Sequence, residues 1–593
     1  MSNGRDTVPR LTGRLATAAL AALIATGCAA PPANDGPAEP EGPSGTRPMQ
    51  MRVAVEMMIS AANPYAAQAG SDVLRAGGSA IDAAIAAQMV LTLVEPQSSG
   101  IGGGGYMMHW DAKSRRATAY DGRETAPAAA DKDYFHLSGG VPMARGRAGV
   151  SGRSVGVPGL LRMLEEAHHR HGRLPWKRLF EPAIELANRG FAISPRLHRL
   201  IQRFDNIKVN AEARKYFLTK RGKPLPVGHR LINRELAQTF SAIAQYGADA
   251  FYKGLRAKRI ADTVHRTHFR AGLMKPSDLA NYQVRITEPV CTTYRRHKVC
   301  GVGPSTSGGT TVAMALGMLE RFDVAAMKPA SAEFAHVFVE ALRLAYADRA
   351  AYLADPAYSR VPLKGLLDPR YLAERSRMIR TDRAAPSVGP GAPAGETAEY
   401  SRDGDAPEPP STTHFSVVDQ YGNAVSLTST VGWGFGSGFM VDGFLLNNQL
   451  IAFNWRRGAD GKRSVNHVDG GKRPRSSLSP TMVFAPDGRL RLVIGSPGGR
   501  RIIPYVAKSI VAVLDWGLDI QSAISLPNVA LSFDGELELE RDTWDILHRL
   551  DLEKRGHAVT IRPLTSGLHG IEVMDDGMIG GADPRREGIV LGR

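Results

Sequence analysis

The sequence predicts an α+β protein whose helices and sheets share one layered core. Residues 52–351 alternate helical patterns with short strand-like and glycine-rich segments, whereas strand patterns dominate after Thr412. The composition, 43% apolar and 22% charged, is that of a globular chain able to bury a sizeable core. A helix-rich first part and a sheet-rich second part are therefore expected to pack as layers.

Three stretches of the first part carry helical periodicity. Residues 66–93 hold two helices separated by a pair of glycines. Residues 160–167 place apolar side chains on one helical face, and Gly172 supplies a stop signal. Residues 334–345 repeat the same spacing, so the first part is predicted to be rich in helices.

The second part begins with a strand–turn–strand pattern. The two strands are 412–418 and 424–430, joined by the loop 419–423. Further strands are expected at 443–446, 481–484 and 489–494, and one long helix from about 502 to 514.

Before Thr412, residues 380–411 are polar and rich in Pro, Gly and Ala, with neither helical nor strand periodicity. A long structureless loop inside a compact domain is unusual and often functional. A cut between Ser411 and Thr412 would leave a threonine with a free α-amine at the new N-terminus. That amine can act as the base for its own hydroxyl. The sequence therefore predicts a self-processing, acyl-transferring hydrolase.

The hairpin also predicts a partner for the nucleophile. With a five-residue loop, residue 418 pairs with 424, and the same register sets Thr430 opposite Thr412. A second hydroxyl there would orient the first. The alternative is that the Thr-Ser-Thr run is only a polar face that favours strand.

Two further segments carry groups suited to an acyl substrate. The glycine-rich segment 494–499 lies between a strand and a helix, where backbone N–H groups can stabilise developing negative charge. A simple tight turn is the alternative. The hydroxyls of Ser476 and Ser477 follow a basic cluster and suit a carboxylate, although they could equally be turn residues before a strand.

Several cofactor and metal patterns are excluded. Residues 100–105 fit the spacing G-x-G-x-x-G, but a helix and a loop precede them and a strand follows, the reverse of a dinucleotide site. There is no Walker lysine and no H-E-x-x-H spacing. The histidines among residues 168–171 are expected on a solvated helix face. We expect neither cofactor nor metal.

The net charge of +16 and the pI of about 9.8 raise the question of nucleic acid binding. The basic residues are scattered, however, and no zinc-finger or RNP pattern occurs. A solvated basic surface is expected instead, without a nucleic-acid partner.

The N-terminus is typical of an export signal, predicted at residues 1–28. Arginines precede an apolar run, 15–25, that is too short to span a membrane and ends in small residues before Cys28. This resembles the bacterial lipoprotein box, in which the cysteine is lipidated; plain signal cleavage is the alternative. Residues 29–49 then form a flexible tether. The predicted location is the periplasm, on the outer membrane, with membrane contact only through that lipid.

The other two cysteines flank a segment that can fold as a hairpin. In that register Cys291 and Cys300 lie directly opposite, close enough for a disulfide in an oxidising compartment. Two free, partly buried thiols are the alternative.

Taken together, these segments resemble the γ-glutamyltransferase (γ-glutamyltranspeptidase) family of N-terminal-nucleophile hydrolases, from about residue 53 to the C-terminus. The motifs that carry the resemblance are Val-Glu-Pro-Gln at 94–97 with the glycines at 100–105, Asp-Gly-Arg-Glu-Thr-Ala-Pro at 121–127, Gly-Val-Pro-Gly at 156–159, Tyr-Ala-Asp-Arg at 346–349, Thr-Thr-His at 412–414, Leu-Asn-Asn-Gln at 446–449 and the glycine-rich turn at 495–499.

The resemblance implies a four-layer αββα sandwich and autocatalytic cleavage into two subunits. The large-subunit core would be 50–379, followed by a flexible segment 380–411, and the small subunit would be 412–593. The resemblance implies that Thr412 is the nucleophile, that Thr430 is its hydroxyl partner, and that Gly498 and Gly499 form the oxyanion hole. It also implies that Arg123, Ser476 and Ser477 hold the α-carboxylate of a γ-glutamyl donor, with Gln449 near the donor's amine.

Two positions depart from the family pattern. Ala452 stands where an Asp usually pairs with the substrate's α-ammonium, and Gly432 stands where Asn or Glu usually faces the same amine. An ammonium buried without a charged partner is costly.

The leading hypothesis is a γ-glutamyl hydrolase or transferase acting on glutathione-like amides, with water, an amino acid or a peptide as acceptor. The second is a glutaryl-type, cephalosporin-acylase-like amidase that does not require the amine, which Ala452 and Gly432 favour. The third is an inactive surface binding protein, against which Thr412 and Thr430 argue.

Overall fold

The computed structural model describes Met1 and residues 48–267, 269–396, 399–401, 406, 408 and 411–593. Cys28 and most of the predicted signal and tether lie outside the described residues. Within the described part, no helix is long and apolar enough to cross a membrane. Residues 380–396 form neither helix nor strand.

Strands are distributed along the whole described chain. They are β1 (Arg52–Ala54), β2 (Met58–Ala61), β3 (Gly104–Asp111), β4 (Arg116–Gly122), β5 (Phe191–Ala192), β6 (Arg230–Leu231), β7 (Arg285–Thr287), β8 (Val290–Tyr294), β9 (His297–Gly301), β10 (Thr413–Val418), β11 (Ala424–Thr430), β12 (Met440–Val441), β13 (Phe444–Leu445), β14 (Thr481–Phe484), β15 (Leu490–Gly495), β16 (Val529–Leu531), β17 (Leu537–Glu540), β18 (Val559–Arg562), β19 (His569–Val573), β20 (Met578–Ala582) and β21 (Ile589–Gly592).

Helices occupy much of the chain before Thr412 and return after β15. They are α1 (Pro64–Arg75), α2 (Ala80–Val94), α3 (Arg145–Gly149), α4 (Leu160–His171), α5 (Glu181–Arg189), α6 (Pro195–Arg203), α7 (Ala211–Phe217), α8 (Arg234–Tyr246), α9 (Asp249–Tyr252), α10 (Gly254–His265), α11 (Pro276–Ala280), α12 (Gly308–Leu319), α13 (Ala332–Tyr352), α14 (Leu363–Leu366), α15 (Pro369–Ser376), α16 (Ile502–Leu514), α17 (Ile520–Ser525) and α18 (Ile546–Lys554).

Two large sheets form the centre. Sheet I has the strand order β1-β20-β19-β15-β14-β9-β8, and sheet II has the order β21-β2-β10-β11-β3-β4-β7. All neighbouring strands in both sheets are antiparallel.

Each sheet takes strands from both sides of Thr412. The helix-rich first part thus also supplies strands to both sheets. The strands β2 and β3, from the first part, are almost wholly buried. Such strands lack the alternation of polar and apolar residues that marks a strand in a sequence.

Helices cover the outer face of each sheet. Met107 and Phe415 point from sheet II into one apolar core, which α2, α4 and α8 close. Tyr106, on the opposite face of β3, joins a second core together with sheet I and the helices α12, α13 and α16. The order helix–sheet–sheet–helix is the αββα sandwich that the resemblance implies.

The β10–β11 hairpin has the predicted register. Val418 lies opposite Ala424, and Thr413 lies opposite Ser429. Phe415 faces the helices, whereas Ser416 faces sheet I and donates a hydrogen bond to the carbonyl of His569 at 3.1 Å. Residue 412 therefore directly precedes a strand of sheet II that is buried between sheet I and the helices.

The helices α1, α2, α4, α13 and α16 form where the sequence predicts them. Gly172 follows the last residue of α4, as expected. The prediction that the histidines of α4 lie on a solvated face is correct only for His169. His168 and His171 are half-buried and reach the carbonyl of Leu174 at 2.9 Å and the hydroxyl of Tyr120 at 3.0 Å.

The hairpin β8–β9 lies at the edge of sheet I. Its turn is formed by Arg295 and Arg296, which have φ angles of 48° and 68°. Cys291 lies opposite Cys300 in the register, and the structure joins their sulfur atoms in a disulfide. Arg295 is held in its left-handed conformation by ion pairs with Asp515 and Glu320.

Candidate active site

Most of the predicted site residues line one pocket, which holds about 390 Å³ of empty space. The predicted residues among its walls are Arg123, Thr412, Thr430, Gln449, Ser476, Ser477 and Gly499. The residues that sequence reasoning did not select are Glu408, Trp433, Ile451, Leu478 and Ile502. Gly432 and Ala452, the two departures from the family pattern, line the same pocket.

Thr430 contacts the predicted cleavage site directly. In the uncut chain its hydroxyl donates to the carbonyl oxygen of Ser411 at 2.7 Å. The hydroxyl oxygen of Thr430 in turn accepts hydrogen bonds from the Gly432 N–H at 2.9 Å and from Nε2 of Gln449 at 3.1 Å. A hydroxyl has one hydrogen, and these two donors direct it towards Ser411. The carbonyl that a nucleophile would attack is therefore polarised.

Thr412 is buried, with 3% of its surface exposed. Its carbonyl accepts a hydrogen bond from Nη1 of Arg586 at 3.4 Å. Burial lowers the pKa of Arg586 to about 9, against the opposing charge of Glu587. A cation at this position lowers the pKa of a neighbouring amine, because it disfavours a second positive charge.

The glycine-rich turn leads from β15 into the short 3₁₀ turn Gly499–Arg501 and then into α16. Gly498 and Gly499 have φ angles of 139° and 58°, in the left-handed region. A Cβ at Gly498 would lie 2.9 Å from the ring of Tyr505. Gly499 lines the pocket and Gly498 is its chain neighbour, not one of the lining residues. The backbone here can approach a ligand more closely than any residue with a side chain would allow.

Arg123 is buried and directly follows β4. Its Nε donates to the carbonyl of Pro474 at 3.2 Å, and its Nη1 lies 3.5 Å from Oε2 of Glu124. Burial raises the pKa of Glu124 to about 7, while Arg123 lowers it. Burial therefore disfavours the Glu124 carboxylate, which weakens its cancellation of the charge of Arg123.

The basic side chains before the serine pair donate hydrogen bonds to backbone carbonyls. Nζ of Lys472 donates to the carbonyl of Val465 at 2.9 Å, and Nη2 of Arg473 donates to the carbonyl of Gln283 at 2.7 Å. Of this segment, the two serines and the following Leu478 reach the pocket, whereas the lysine and the arginines do not.

Arg349 is a further residue that sequence reasoning missed. It projects from α13, where its Nε donates to the hydroxyl of Ser307 at 2.7 Å and its Nη2 to the hydroxyl of Ser477 at 2.9 Å. It also forms an ion pair with Glu408. The only signal in the sequence was its place in the Tyr-Ala-Asp-Arg motif, which gives no spatial information.

The wall where an α-ammonium would be expected is apolar. It contains Trp433, Ile451 and Ala452, the last residue of the 3₁₀ turn Gln449–Ala452. Gly432 has φ 104°, and a Cβ there would lie 2.0 Å from Oδ1 of Asn448. The positive φ angle and the side chain of Asn448 therefore disfavour any side chain at this position.

A family model described as gamma-glutamyltranspeptidase matches residues 66–592. The chain belongs to the γ-glutamyltranspeptidase family. Among curated relatives, the glutathione hydrolase proenzyme of Bacillus subtilis (strain 168) is 37% identical over 555 residues, covering 92% of each chain. The Acylase ACY 1 proenzyme of Pseudomonas sp. (strain SE83) is 34% identical, covering 88% of this chain and 91% of that protein.

Solved structures agree with this assignment. The γ-glutamyltranspeptidase of Helicobacter pylori is 30% identical with a TM-score of 0.54, covering 60% of this chain and 100% of that one. The cephalosporin acylase of Bacillus halodurans has a TM-score of 0.81 at 24% identity, covering 93% of this chain and 98% of that one. The second likeness concerns the fold alone. The αββα architecture of this family member is thus shared with an acylase.

Proposed function

We propose that this γ-glutamyltranspeptidase family member is a self-processing γ-glutamyl hydrolase or transferase that acts on glutathione and related amides. The acyl group would be carried on Thr412. The observation that most supports this proposal is the single pocket that contains Thr412, Thr430, Gly499 and the carboxylate-binding candidates Arg123 and Ser477. Relatives named glutathione hydrolase proenzyme support the same reaction.

Self-processing would begin at the carbonyl of Ser411. The hydroxyl oxygen of Thr412 attacks that carbon while Thr430 donates a hydrogen bond to its oxygen. The C–N bond breaks as the Thr412 nitrogen takes the proton of the hydroxyl and leaves as an amine, so the peptide bond becomes an ester, which water hydrolyses to a carboxylic acid and the free hydroxyl. The products are a large subunit ending at Ser411 and a small subunit beginning with Thr412.

The new α-amine then serves as the base for the Thr412 hydroxyl, which attacks the γ-carbonyl of the donor. The N–H groups of Gly498 and Gly499 stabilise the oxyanion, and the leaving amine takes the proton. Water or an amino group of an acceptor releases the acyl group. The nearby cation of Arg586 supports this role, because it keeps the α-amine in its neutral, basic form.

A second candidate is a glutaryl-type acylase that does not require an α-amino group. It is favoured by the apolar wall of Trp433, Ile451 and Ala452, which offers no carboxylate to an ammonium. An acylase among the curated relatives is consistent with it. Both candidates use the same nucleophile and differ only in the acyl group.

The deciding experiment compares two chromophoric substrates. Protein shown by gel to be cut at Thr412 is assayed with a γ-glutamyl anilide and with the glutaryl anilide that lacks the α-amine. Strong preference for the γ-glutamyl compound supports the first candidate. Equal or faster glutaryl cleavage replaces it by the acylase, and absence of self-cleavage contradicts both.

We also propose that the protein works outside the cytoplasm, in the periplasm, anchored through a lipid on Cys28. The export-type N-terminus and the disulfide between Cys291 and Cys300 support this location. The variant Cys28→Ser should move the protein from the membrane fraction to the soluble fraction. Unchanged fractionation would rule out the anchor.

A further inference from the structure

A carboxylate of the chain itself occupies the pocket. Glu408, three residues before the predicted cut, lines the same cavity as Arg123, Ser476 and Ser477, and 11% of its side chain is exposed. It is ion-paired with Arg349, and its backbone carbonyl lies 3.5 Å from the Arg500 N–H. The pre-cleavage segment thus places an anion where the proposed substrate's carboxylate is expected.

The guanidinium of Arg349, which pairs with Glu408, is also hydrogen-bonded to Ser307 and Ser477. Arg349 has no exposed side-chain surface. Its Nε donates to the Ser307 hydroxyl, which in turn donates to the Ser476 carbonyl at 2.6 Å. Its Nη2 donates to the oxygen of Ser477, which leaves the hydrogen of that hydroxyl for another acceptor. The guanidinium of Arg349 and the oriented hydroxyl of Ser477 are a suitable pair of hydrogen-bond donors for a carboxylate.

We propose that Arg349 and Ser477 form a carboxylate subsite that Glu408 occupies in the uncut chain and that the acyl donor's carboxylate occupies after cleavage. The inference rests on the proposed function, because it assumes a donor with a carboxylate. Cleavage after Ser411 frees the end of the segment that carries Glu408, so the ligand can be exchanged. A buried guanidinium that loses its carboxylate partner is strongly disfavoured, which makes replacement by a second anion favourable.

The competition can be measured without turnover. The variant Thr412→Ala lacks the nucleophile and is expected to stay uncut, so Glu408 remains tethered beside Arg349. Glutarate serves as the probe, with binding measured by calorimetry. We expect the double variant T412A/E408Q to bind glutarate at least tenfold more tightly than T412A, because the internal competitor has lost its charge. Adding R349Q to that double variant should abolish the gain.

A matched control tests whether the effect belongs to this arginine. Arg343 lies on the same helix, α13, and pairs with Glu340 at 2.7 Å, away from the pocket. The variant R343Q in the same background should leave glutarate binding unchanged. Equal glutarate affinity in T412A and T412A/E408Q, or a gain that survives R349Q, would overturn the subsite.

Kinetics on cut protein provide a second test. For a γ-glutamyl anilide, E408Q should lower KM several-fold, whereas R349Q should raise it at least tenfold and R349K less. A donor whose α-carboxylate is amidated should respond to neither variant. A purely structural Arg349 would instead reduce kcat for both donors alike. If the wild type cleaves neither donor, the proposed function fails, while the glutarate measurements still decide the subsite.

Discussion

Thr430 shows how one hydroxyl can serve two stages of a reaction. In the uncut chain it donates to the Ser411 carbonyl, next to the C–N bond that is proposed to break. In the proposed mechanism, departure of that carbonyl would leave the hydroxyl, which accepts from the Gly432 N–H and from Gln449, beside Thr412. The sequence predicted a hydroxyl opposite Thr412; the contact with the preceding carbonyl appears only in the structure.

Replacing Thr430 should slow self-cleavage. Thr430→Val removes the donor at nearly constant volume, and loss of one oxyanion-type donor typically costs about 10² to 10³ in rate. The appearance of the two fragments on a denaturing gel gives the rate. Thr430→Ser, which keeps the hydroxyl, should process nearly as fast as the wild type. Rapid cleavage of the valine variant would remove Thr430 from the mechanism.

Ala452 is the position at which substrate preference can be changed. Its side chain lines the apolar wall of the pocket, and Asp at this position would supply a carboxylate to the donor's α-ammonium. We expect Ala452→Asp to increase the ratio of γ-glutamyl to glutaryl anilide cleavage about tenfold, equivalent to about 1.4 kcal/mol. The ratio of kcat/KM for the two anilides is the measurement.

Gly432→Asn is the instructive contrast to Ala452→Asp. Its Cβ would lie 2.0 Å from Oδ1 of Asn448, in a backbone conformation that side chains rarely adopt. We expect that variant to lose activity with both anilides.

For Ala452→Asp, an unchanged ratio of γ-glutamyl to glutaryl cleavage would mean that the donor's α-amine lies elsewhere in the pocket.

At the scale of elements, the sequence predicted best where structure is local. The β10–β11 register follows from a five-residue loop and the alternation of side chains, and α16 follows from its apolar periodicity. Strands such as β2 are buried on both faces and so carry no alternation. Arg349 and Glu408 meet across 59 residues of chain, and no local pattern encodes such a contact.

The hairpin β8–β9 permits a test of the disulfide. The bridge closes a short loop at the edge of sheet I, away from the pocket. Removing a bridge across a loop of this size should lower the free energy of unfolding by about 2 to 3 kcal/mol. Denaturant unfolding of the Cys291→Ser/Cys300→Ser variant against the wild type measures this loss.

The activity of the double serine variant should be unchanged, because neither cysteine lines the pocket. Titration of unfolded protein with a thiol reagent provides the control. Reaction of both cysteines before reduction would mean that the thiols are free.

For the molecule as a whole, the decisive feature is that both sheets combine strands from the two sides of Thr412. Sheet II places β10 and β11 between β2 and β3, and sheet I places β14 between β9 and β15. Cleavage before Thr412, as proposed above, would leave two chains that share both sheets, so their separation would expose both sheets. The boundary at Thr412 therefore divides neither the fold nor the pocket, to which Arg123 and Gln449 both contribute.

Histidines buried within this shared core make its stability depend on pH. Burial is the main cause that lowers the pKa of His414 well below its usual range and that of His569 to about 4. A histidine held neutral in the folded state stabilises it fully above the unfolded pKa of about 6.5. That contribution is lost as the pH falls from 6.5 towards the folded value, because the unfolded state then binds more protons. Glu95 and Glu124 oppose this between 4.5 and 7, since burial raises the pKa of each to about 7.

Comparison of variants isolates the histidine contribution from that of the two glutamates. Between pH 6.5 and 4, we expect the free energy of unfolding of the wild type to fall more steeply than that of His569→Gln. The slopes should differ by up to about 1.4 kcal/mol per pH unit, the limit for one proton. The measurement is denaturant unfolding at half-unit pH steps, with the exposed His169→Gln as the control of unchanged slope. Identical slopes in wild type and His569→Gln would mean that the folded protein accepts a proton at His569 without cost. The space between the sheets would then be accessible to water rather than a dry part of the core.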